Sequence, residues 1–489
     1  MLPTEPTRRD LGRPNDLEAP VNSDPDHQED LARIFGDRAI NDENTLRTHS
    51  RDQVGDERYY ASPATVVYPE TTGEIVELMR WANLTGTPVT PRGAGSGLAG
   101  AAIPVPGGVV CNMSRMNRIL DVDTDNLMVV VEPGVVTRTL DTVLEPHGLF
   151  FAGYPMSEEI CSIGGNVAEN AGGGRAVKYG VTADYVRGAD VVTATGDVLH
   201  LGGKLLKNVA GYNLLQLMIG SEGTLGIFTQ LTIQVIPRPR ERGVLFASFV
   251  SAHAAAQAVS ALKRRLSNPP SSLEYIDGPT ARDTNEALPG SKRLVIPDAA
   301  AFLLVEIDSN GDRDLEADLN EAGLIIAAEG GVSLSRGVSS DEVERAWRLR
   351  KQVPWWVKQH AGPQQAAEDI VVPPASVPQL VELAEDLRSR FGVRIPLYGH
   401  AGDGNLHLRP MKPDSMDLVE WSDLVPRILT SLYQGIAKMG GTISGEHGIG
   451  RKRVKYLAAF LDPVELRILR SLKETMDPNG ILNPGVVLD

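Results

Sequence analysis

Two histidines that frame a glycine-rich turn are the residues whose spacing most directly suggests chemistry. The stretch from Tyr398 to Arg409 reads YGHAGDGNLHLR, with His400 and His407 on either side of Asp403-Gly404. An Asp-Gly pair between strand-like residues favours a two-residue hairpin turn. That register predicts that His400 faces His407 at a Cβ distance of about 4.5–5.5 Å, with Tyr398 paired to Arg409 on the same face. Two such imidazoles can share a metal ion, and a surface hairpin with unrelated histidines is the alternative.

A second short segment could complete such a site. Glu446 and His447 lie in the sequence GEHG, where small neighbours leave room for a ligand. His400, His407 and Glu446 together would form a site for Zn²⁺ or another divalent ion with an open coordination position. The ion would lower the pKa of a substrate hydroxyl, and His447 would accept the proton as general base. The alternatives are structural: a cap or salt bridge for Glu446 and a hydrogen-bond donor for His447.

The first half of the chain contains three glycine-rich segments. Residues 92–100 read RGAGSGLAG after a short strand, and residues 164–174 and 220–226 are similarly enriched. Successive backbone N–H groups in such loops can cradle a pyrophosphate. The first loop is not the dinucleotide-binding fingerprint, because Leu98 stands where the third glycine is needed, and no Walker lysine follows. Together the segments predict an extended ligand threaded between two stretches of backbone.

Composition limits the class of protein. The chain has 489 residues, 42% of them hydrophobic, and a formal net charge of −15, which suits a globular protein of two or three domains and argues against a nucleic-acid partner. With only Cys111 and Cys161, a four-thiolate iron–sulfur site is excluded. No apolar run reaches the length of a transmembrane helix. The expected location is the cytoplasm, with peripheral attachment to a membrane left open.

Strand-like and helix-like segments alternate without a regular βαβ rhythm, which favours an α+β fold over a doubly wound parallel sheet. Residues 1–30 are rich in proline and charge, and we expect them to be a disordered tail. The pair Pro237 and Pro239 predicts a boundary between a first domain over residues 50–237 and a second over residues 238–489.

Several motifs resemble one family when they are taken in order. They are PRGAGSGLAG at 91–100, GGNVAENAGG at 164–173, GSEGTLG at 220–226, EDIVVP at 368–373, HAGDGNLH at 400–407 and GEHGIG at 445–450. The chain resembles the vanillyl-alcohol oxidase/p-cresol methylhydroxylase superfamily of FAD-linked oxidases. Within it the resemblance is to the D-2-hydroxyacid dehydrogenases, which include D-lactate dehydrogenases, the flavin subunit of glycolate oxidase and D-2-hydroxyglutarate dehydrogenases. It implies a two-part FAD-binding domain followed by an α+β domain for substrate and metal.

The resemblance also implies which residues bind FAD. The pyrophosphate would be cradled by Arg92, Gly93, Ala94, Gly95, Ser96 and Gly97. The dinucleotide would be lined by Gly165, Asn166, Gly173 and Gly174. The adenosine part would be held by Glu222, Gly223 and Ile227, and Asn483 would approach the flavin ring. None of the nine histidines falls in the loop at 92–100, so FAD is expected to be non-covalent. A hydride from the substrate would pass to the flavin and leave a 2-keto acid.

The same resemblance constrains the substrate. Arg350 matches an arginine that clamps a substrate carboxylate, and a solvated charge on a helix face is the alternative. A carboxylate-binding lysine of the 2-hydroxyglutarate enzymes would fall near Ala367, and Arg409 replaces an asparagine that follows the second metal histidine. These departures favour D-lactate, glycolate or another 2-hydroxy acid held by Arg409 over D-2-hydroxyglutarate.

Partners follow from the same reading. Electrons would pass to a quinone, a cytochrome or an electron-transfer protein. One alternative is a flavin-carrying subunit of a multi-subunit oxidase that is inactive without its partners, with an iron–sulfur subunit or a second copy as the neighbour. Another is a flavin enzyme without net oxidation, like the ether-lipid synthase of the superfamily. His400, His407 and Glu446 argue against that last alternative.

Overall fold

The computed structural model describes residues 25–488. The α-helices of this part of the chain are α1 (Pro25–Phe35), α2 (Glu43–His49), α3 (Thr72–Thr85), α4 (Thr137–Leu144), α5 (Ile163–Glu169), α6 (Ala176–Tyr179), α7 (Leu214–Met218), α8 (Ala252–Arg265), α9 (Gly278–Ala287), α10 (Leu315–Ala328), α11 (Ser340–His360), α12 (Val377–Phe391), α13 (Leu418–Lys438), α14 (Val454–Leu457) and α15 (Pro463–Met476). Among these described helices, none combines the length and apolar character that crossing a bilayer requires.

The strands of the same residues form four sheets. They are β1 (Ala39–Ile40), β2 (Thr65–Val67), β3 (Val89–Arg92), β4 (Val109–Asn112), β5 (Ile119–Asp123), β6 (Met128–Val131), β7 (Leu149–Phe150), β8 (Val186–Val192), β9 (Val198–Gly202), β10 (Ile227–Gln234), β11 (Ile236–Pro237), β12 (Glu241–Phe249), β13 (Ser272–Asp277), β14 (Ala301–Ser309), β15 (Gly331–Gly337), β16 (Glu368–Val371), β17 (Leu397–His400) and β18 (Asn405–Leu408). The mixture of helices and largely antiparallel sheets confirms the predicted α+β class.

Part of the predicted N-terminal tail is helical. Residues 1–24 lie outside the described residues, but residues 25–30 belong to α1, so the prediction of disorder is wrong there. Leu31 and Phe35, one helical turn apart, are buried in a hydrophobic core with Trp81. The Trp81 indole also donates to Asp30 at 3.2 Å. Burial of this apolar pair orders a segment that is polar in average composition.

The contacts of the chain define two compact units, and the first comprises residues 25–171, 181–237 and 446–488. One of its sheets has the order β1-β2-β4-β3, in which β2, β4 and β3 run parallel. The other is antiparallel with the order β5-β6-β10-β8-β9. The short strands β7 and β11 pair separately. The loop at 92–97 begins at the end of β3 and so leaves the edge of the first sheet.

Helix α3 shows how local sequence builds this unit. The Thr71 hydroxyl accepts from the Glu74 N–H at 3.2 Å, and the Glu74 carboxylate accepts from the Thr71 N–H at 3.3 Å. This reciprocal capping box at Thr71 starts the helix at Thr72. Gly86, at φ +69°, ends it in the left-handed conformation. The face between them is buried through Ile75, Leu78, Met79, Trp81 and Ala82.

The second unit comprises residues 172–180 and 238–445. Its seven-stranded sheet has the order β15-β12-β14-β13-β17-β18-β16, and every neighbouring pair is antiparallel. Phe246 and Phe302 stack on adjacent strands with ring centroids 5.4 Å apart. The strands β13, β17, β18 and β16 lie side by side in this order, and they carry the polar side chains described below.

The division at Pro237 coincides with the proline pair, but the C-terminal segment departs from the predicted second domain over residues 238–489. Residues 446–488 pack in the first unit. The Val89 N–H donates to the Ile481 carbonyl at 2.8 Å, and Leu482 is buried in the same core as Val89. The Lys473 ammonium reaches the Thr224 carbonyl at 2.8 Å. A proline pair predicts a domain boundary, but it does not indicate which unit a later segment of the chain packs in.

Candidate active site

The histidine hairpin forms, but with a register that differs from the prediction. Tyr398 pairs with His407, and His400 pairs with Asn405. The predicted pairing of His400 with His407 is wrong because the turn contains four residues, 401–404, instead of two. Gly404 adopts φ +87°, and its carbonyl accepts from the Val372 N–H at 3.1 Å. The tip of the hairpin is therefore tied to the strand segment that follows β16.

A shift of two residues leaves every side chain on its predicted face, because side chains alternate with a period of two. His400 and His407 become diagonal neighbours, with ring centroids 5.4 Å apart and ring planes at 87°. Both side chains are buried. The structure therefore brings together the two histidines that the sequence suggested, and their role as shared metal ligands stays a prediction.

Two buried carboxylates lie beside the imidazoles. The Nδ1 atom of His400 is 2.7 Å from Glu274 Oε1, and that of His407 is 3.6 Å from Asp369 Oδ1. The short contact with Glu274 is a hydrogen bond that selects the tautomer of His400 and orients its other ring nitrogen, whereas the longer contact of His407 with Asp369 is electrostatic. Sequence reasoning missed both roles: Asp369 lies in the quoted EDIVVP motif, whereas Glu274 lies in an ordinary strand pattern that carries no signal.

Glu274 also holds Arg350. The Arg350 Nε donates to Glu274 Oε2 at 2.6 Å, and both side chains are almost fully buried. Burial alone would raise the pKa of Glu274, but the charges of His400 and Arg350, with their hydrogen bonds, lower it to about 2. The alternative of a solvated helix-face charge for Arg350 is therefore wrong. Its predicted role as a clamp for the substrate carboxylate stays a prediction.

Asp369 organises the neighbouring backbone as well. Its carboxylate is fully buried and accepts from Asn405 Nδ2 at 2.7 Å, Gly445 N at 2.8 Å and Ser444 Oγ at 3.1 Å. Asp369 therefore fixes the end of the second unit at Gly445. Glu446 and His447 open the last segment of the first unit.

Within that segment, Glu446 Oε1 and His447 Nε2 are 3.5 Å apart. Their roles as metal ligand and general base stay predictions.

Arg409 is a buried cation on the same strand face. Its side chain is 5% exposed, and Nη1 donates to Gln365 Oε1 at 2.9 Å. The Nε atom is buried and has no hydrogen-bond partner among the described residues. Burial lowers the pKa of Arg409, and nearby Tyr398 and Glu368 partly offset this effect. In the observed register Tyr398 pairs with His407, so the predicted pairing of Tyr398 with Arg409 is wrong. Arg409 nevertheless lies close to Tyr398.

In the first unit, the loop Arg92, Gly93, Ala94, Gly95, Ser96 and Gly97 is braced from behind. The Arg92 guanidinium donates to the carbonyls of Ala102 and Arg51, each at 2.9 Å, so its side chain supports the loop. A Cβ on Gly93 would lie 2.4 Å from Ser162 Oγ. The loop therefore lies directly against the start of α5 and presents backbone there, as a phosphate cradle requires.

The other predicted cofactor residues are divided between the two units. Gly165 and Asn166 lie on α5, where the Asn166 amide donates to Thr137 Oγ1 at 2.8 Å. Gly173 and Gly174 belong to the second unit, and a Cβ on Gly174 would lie 3.0 Å from Glu274 Oε1. The contacts that these four residues were expected to make with the dinucleotide stay predictions.

Glu222 has a structural partner that the sequence did not suggest. Its carboxylate accepts from the N–H groups of Ile449 and Gly450, both at 2.7 Å. Burial raises its pKa to about 7, although these two hydrogen bonds act in the opposite direction. The next residue, Gly223, adopts φ +67°. Ile227 is buried in the hydrophobic core of this unit. The contacts of these three residues with adenosine stay predictions.

Asn483 is fixed by two backbone carbonyls, and its predicted position near the flavin ring stays a prediction. It is buried at φ +46°, and Nδ2 donates to the carbonyls of Ala101 at 3.0 Å and Glu222 at 2.8 Å. Its Oδ1 has no partner among the described residues, and neither do Ser221 Oγ and Arg451 Nη2. Buried polar atoms without partners are costly, so the three fit hydrogen bonds to a bound group. The donors and acceptor suit a dinucleotide such as FAD.

Comparison with known proteins identifies the family of this chain. Residues 63–202 match the "FAD binding domain" family, and residues 238–487 match the "FAD linked oxidases, C-terminal domain" family. The chain is 34% identical to the glycolate oxidase subunit GlcD of Bacillus subtilis (strain 168), over 94% of this chain and 96% of that protein. It is 36% identical to the D-lactate dehydrogenase of Anaerostipes hadrus, over 87% and 90% of the two chains.

The chain belongs to the FAD-linked oxidase family. It is an FAD-dependent oxidoreductase, and the predicted resemblance is confirmed. The solved structure of p-cresol methylhydroxylase with substrate bound shares the fold, with a TM-score of 0.76 and 16% identity over 95% of this chain and 97% of that one. This FAD-linked oxidase therefore has the two-part α+β architecture that its motifs implied.

Proposed function

We propose that this FAD-linked oxidase oxidises a short D-2-hydroxy acid, of the D-lactate or glycolate class, to the 2-keto acid. The observation that carries the proposal is the buried pair His400 and His407, each beside a carboxylate on one face of the sheet. The names of the two relatives, a glycolate oxidase subunit and a D-lactate dehydrogenase, support the same class of substrate.

Each polar residue of the site would have a separate role in the reaction. His400 and His407, with Glu446, would hold a divalent ion, and Zn²⁺ suits two imidazoles and a carboxylate. The ion when bound would make the substrate hydroxyl more acidic. His447 would accept the hydroxyl proton as general base, a role for which an imidazole nitrogen is suited. Arg350 keeps Glu274 ionised and so positions His400.

FAD would supply the oxidising group, taking a hydride from C2 of the acid. The loop at 92–97, Ser221, Arg451 and Asn483 would bind it without a covalent bond. Acid precipitation should therefore release the flavin into the supernatant. Flavin that stays with the precipitated protein would show a covalent link and overturn this part of the proposal.

The metal role is tested by a matched pair of histidine variants. We expect D-lactate or glycolate to bleach the flavin of the anaerobic protein, and L-lactate to have no such effect. Chelation should abolish bleaching, and Zn²⁺ should restore it. His407→Gln should lose bound zinc, whereas His253→Gln should retain it, because His253 is exposed on α8 and pairs with Glu382 at the surface. Bleaching that survives complete metal removal would refute the metal role.

A second candidate function is a flavin-carrying subunit of a multi-subunit oxidase. It is favoured by the name of the Bacillus relative, which is a subunit. The chain's two cysteines, Cys111 and Cys161, are both buried, and two thiols are too few for a four-thiolate iron–sulfur cluster. Electrons would therefore leave through an iron–sulfur subunit, a second copy, a quinone, a cytochrome or an electron-transfer protein. Flavin reduction by substrate without turnover toward a soluble quinone would favour this candidate. Sustained turnover by the isolated chain would contradict it.

A further inference from the structure

A cavity of about 410 Å³ lies at the surface of the second unit, and none of the residues that the proposed reaction uses lines it. Its lining includes four cations, two from the chain after α9 and two from α11: Lys292, Arg293, Arg345 and Arg348. Two acids of α11 also line it, Asp341 and Glu344. Four cations and two acids leave a charge of +2, in a chain whose formal net charge is −15. A cavity of this size suits a small ligand, and a positively charged lining attracts an anion.

The chain after α9 holds its part of the lining in place. Asn285 pins it in both directions, since its Nδ2 donates to the Leu294 carbonyl at 2.8 Å and its Oδ1 accepts from the Leu294 N–H at 2.9 Å. The Arg293 Nε donates to the Leu288 carbonyl at 2.8 Å, and Nη2 donates to the Glu286 carbonyl. Carbonyl groups have no net charge, so they fix the direction of the guanidinium without neutralising it.

The two arginines of α11 line the cavity without pairing with acids of their own helix. Asp341 precedes Arg345 by four residues, and Glu344 precedes Arg348 by four, a spacing that commonly gives ion pairs on a helix surface. Among residues 25–488, neither arginine side chain forms an ion pair or a hydrogen bond, and the same holds for the Lys292 ammonium. Three cations therefore keep their full hydrogen-bonding capacity at one cavity.

Glu342 does not supply the missing counter-charge. The Ser339 hydroxyl and N–H donate to its carboxylate at 2.7 and 3.2 Å. These hydrogen bonds lower the pKa of Glu342, and the charge of Arg345 has a smaller effect in the same direction. Glu342 is therefore engaged in the capping box that starts α11, and the donors of Arg345 are left for a ligand.

We propose that this cavity binds a phosphate monoester of a small polyol. A phosphate monoester carries a charge of about −1.5 to −2 at pH 7, which matches the lining. Its oxygens suit the planar guanidinium groups of Arg345 and Arg348. Asp341 and Glu344 can accept hydrogen bonds from hydroxyl groups of the same molecule, which favours a polyol ester over inorganic phosphate. Binding here changes no covalent bond and does not depend on which acid the enzyme oxidises.

Glycerol 2-phosphate is the probe, titrated calorimetrically into the FAD-loaded protein. We expect binding that weakens as salt is added, weaker binding of inorganic phosphate, and no binding of glycerol. Arg345→Leu and Arg348→Leu should each weaken binding about tenfold, as the loss of a hydrogen bond between charged groups permits. The control Arg264→Leu removes the same charge from an exposed arginine of α8, whose Nε donates to the Ser260 carbonyl of its own helix at 3.3 Å, and it should bind like the wild type.

A gain of affinity separates a binding site from an effect on folding. Glu344→Gln removes a negative charge from the lining and should tighten the binding of glycerol 2-phosphate, whereas a damaged fold could only weaken it. A peptide with one phosphoserine is the second arm: weaker binding than the probe supports a free ester as the ligand, and tighter binding overturns that assignment. No binding of the probe at millimolar concentration, or unchanged affinity in both arginine variants, overturns the proposed site.

Discussion

Replacing Glu274 by glutamine should reveal how much the buried carboxylate contributes to the site. The change keeps the shape of the side chain but removes the charge that Arg350 and His400 share at 2.6 and 2.7 Å. Arg350 is 1% exposed, so its guanidinium would be left buried without an anion. Breaking such a pair from one side costs about 3–5 kcal/mol. A pKa lowered from 4.5 to about 2 corresponds to about 3 kcal/mol, at ~1.4 kcal/mol per unit.

The measurement is thermal and urea unfolding of Glu274→Gln beside the wild type. We expect the free energy of unfolding to fall by about 3 kcal/mol, or roughly 6–12 °C in Tm for a unit of this size. The folded-state pKa is depressed, so this stability is present above the unfolded value of 4.5 and is lost as pH falls toward about 2. The variant should therefore lack that part of the acid transition.

Glu382→Gln is the matched control, because Glu382 is exposed and pairs with His253 at 2.9 Å on the surface. It should unfold like the wild type, since exposed ion pairs contribute little. If Glu274→Gln matches the wild type within about 0.5 kcal/mol, a margin typical of surface substitutions, the inferred dependence of Arg350 and His400 on this carboxylate is wrong.

Three further outcomes are expected. Gly93→Ala places a Cβ 2.4 Å from Ser162 Oγ, which accepts from the Gly165 N–H at 3.4 Å as the N-cap of α5, so it should displace that cap at a cost of about 1 kcal/mol and lower the flavin content of purified protein. Gly73→Ala should not, because its Cβ would meet Thr71 Oγ1 at an ordinary contact distance of 3.8 Å. Burial raises the pKa of Asp52 from 3.8 to about 6, so stability should fall as pH rises through this interval. Asp52→Asn should lack this fall, and a variant whose stability falls with pH as the wild type's does would contradict this. His407→Gln should lose bound zinc in elemental analysis, and unchanged zinc content would exclude this histidine as a ligand.

The amino-acid sequence by itself determined the features that depend on near neighbours. Residues 72–85 form a helix because a capping box, an apolar stripe and a terminal glycine all lie within one segment. The hairpin at 397–408 forms where strand-like residues flank glycines, and alternation alone places His400 and His407 on one face. The ordered motifs also determined the family, which the comparisons confirm.

Only the tertiary structure decided the partners of these residues. Glu274 lies 126 positions from His400, and its role follows from β13 pairing with β17. The register of the hairpin shifted by two because Gly404 bonds to Val372 outside it. Local preferences act over a few residues, whereas a buried charge pair forms where the path of the chain brings distant segments together. For Arg409, the alternation of side chains along the strand predicted its face, but only the tertiary structure shows that it is buried beside the Gln365 amide.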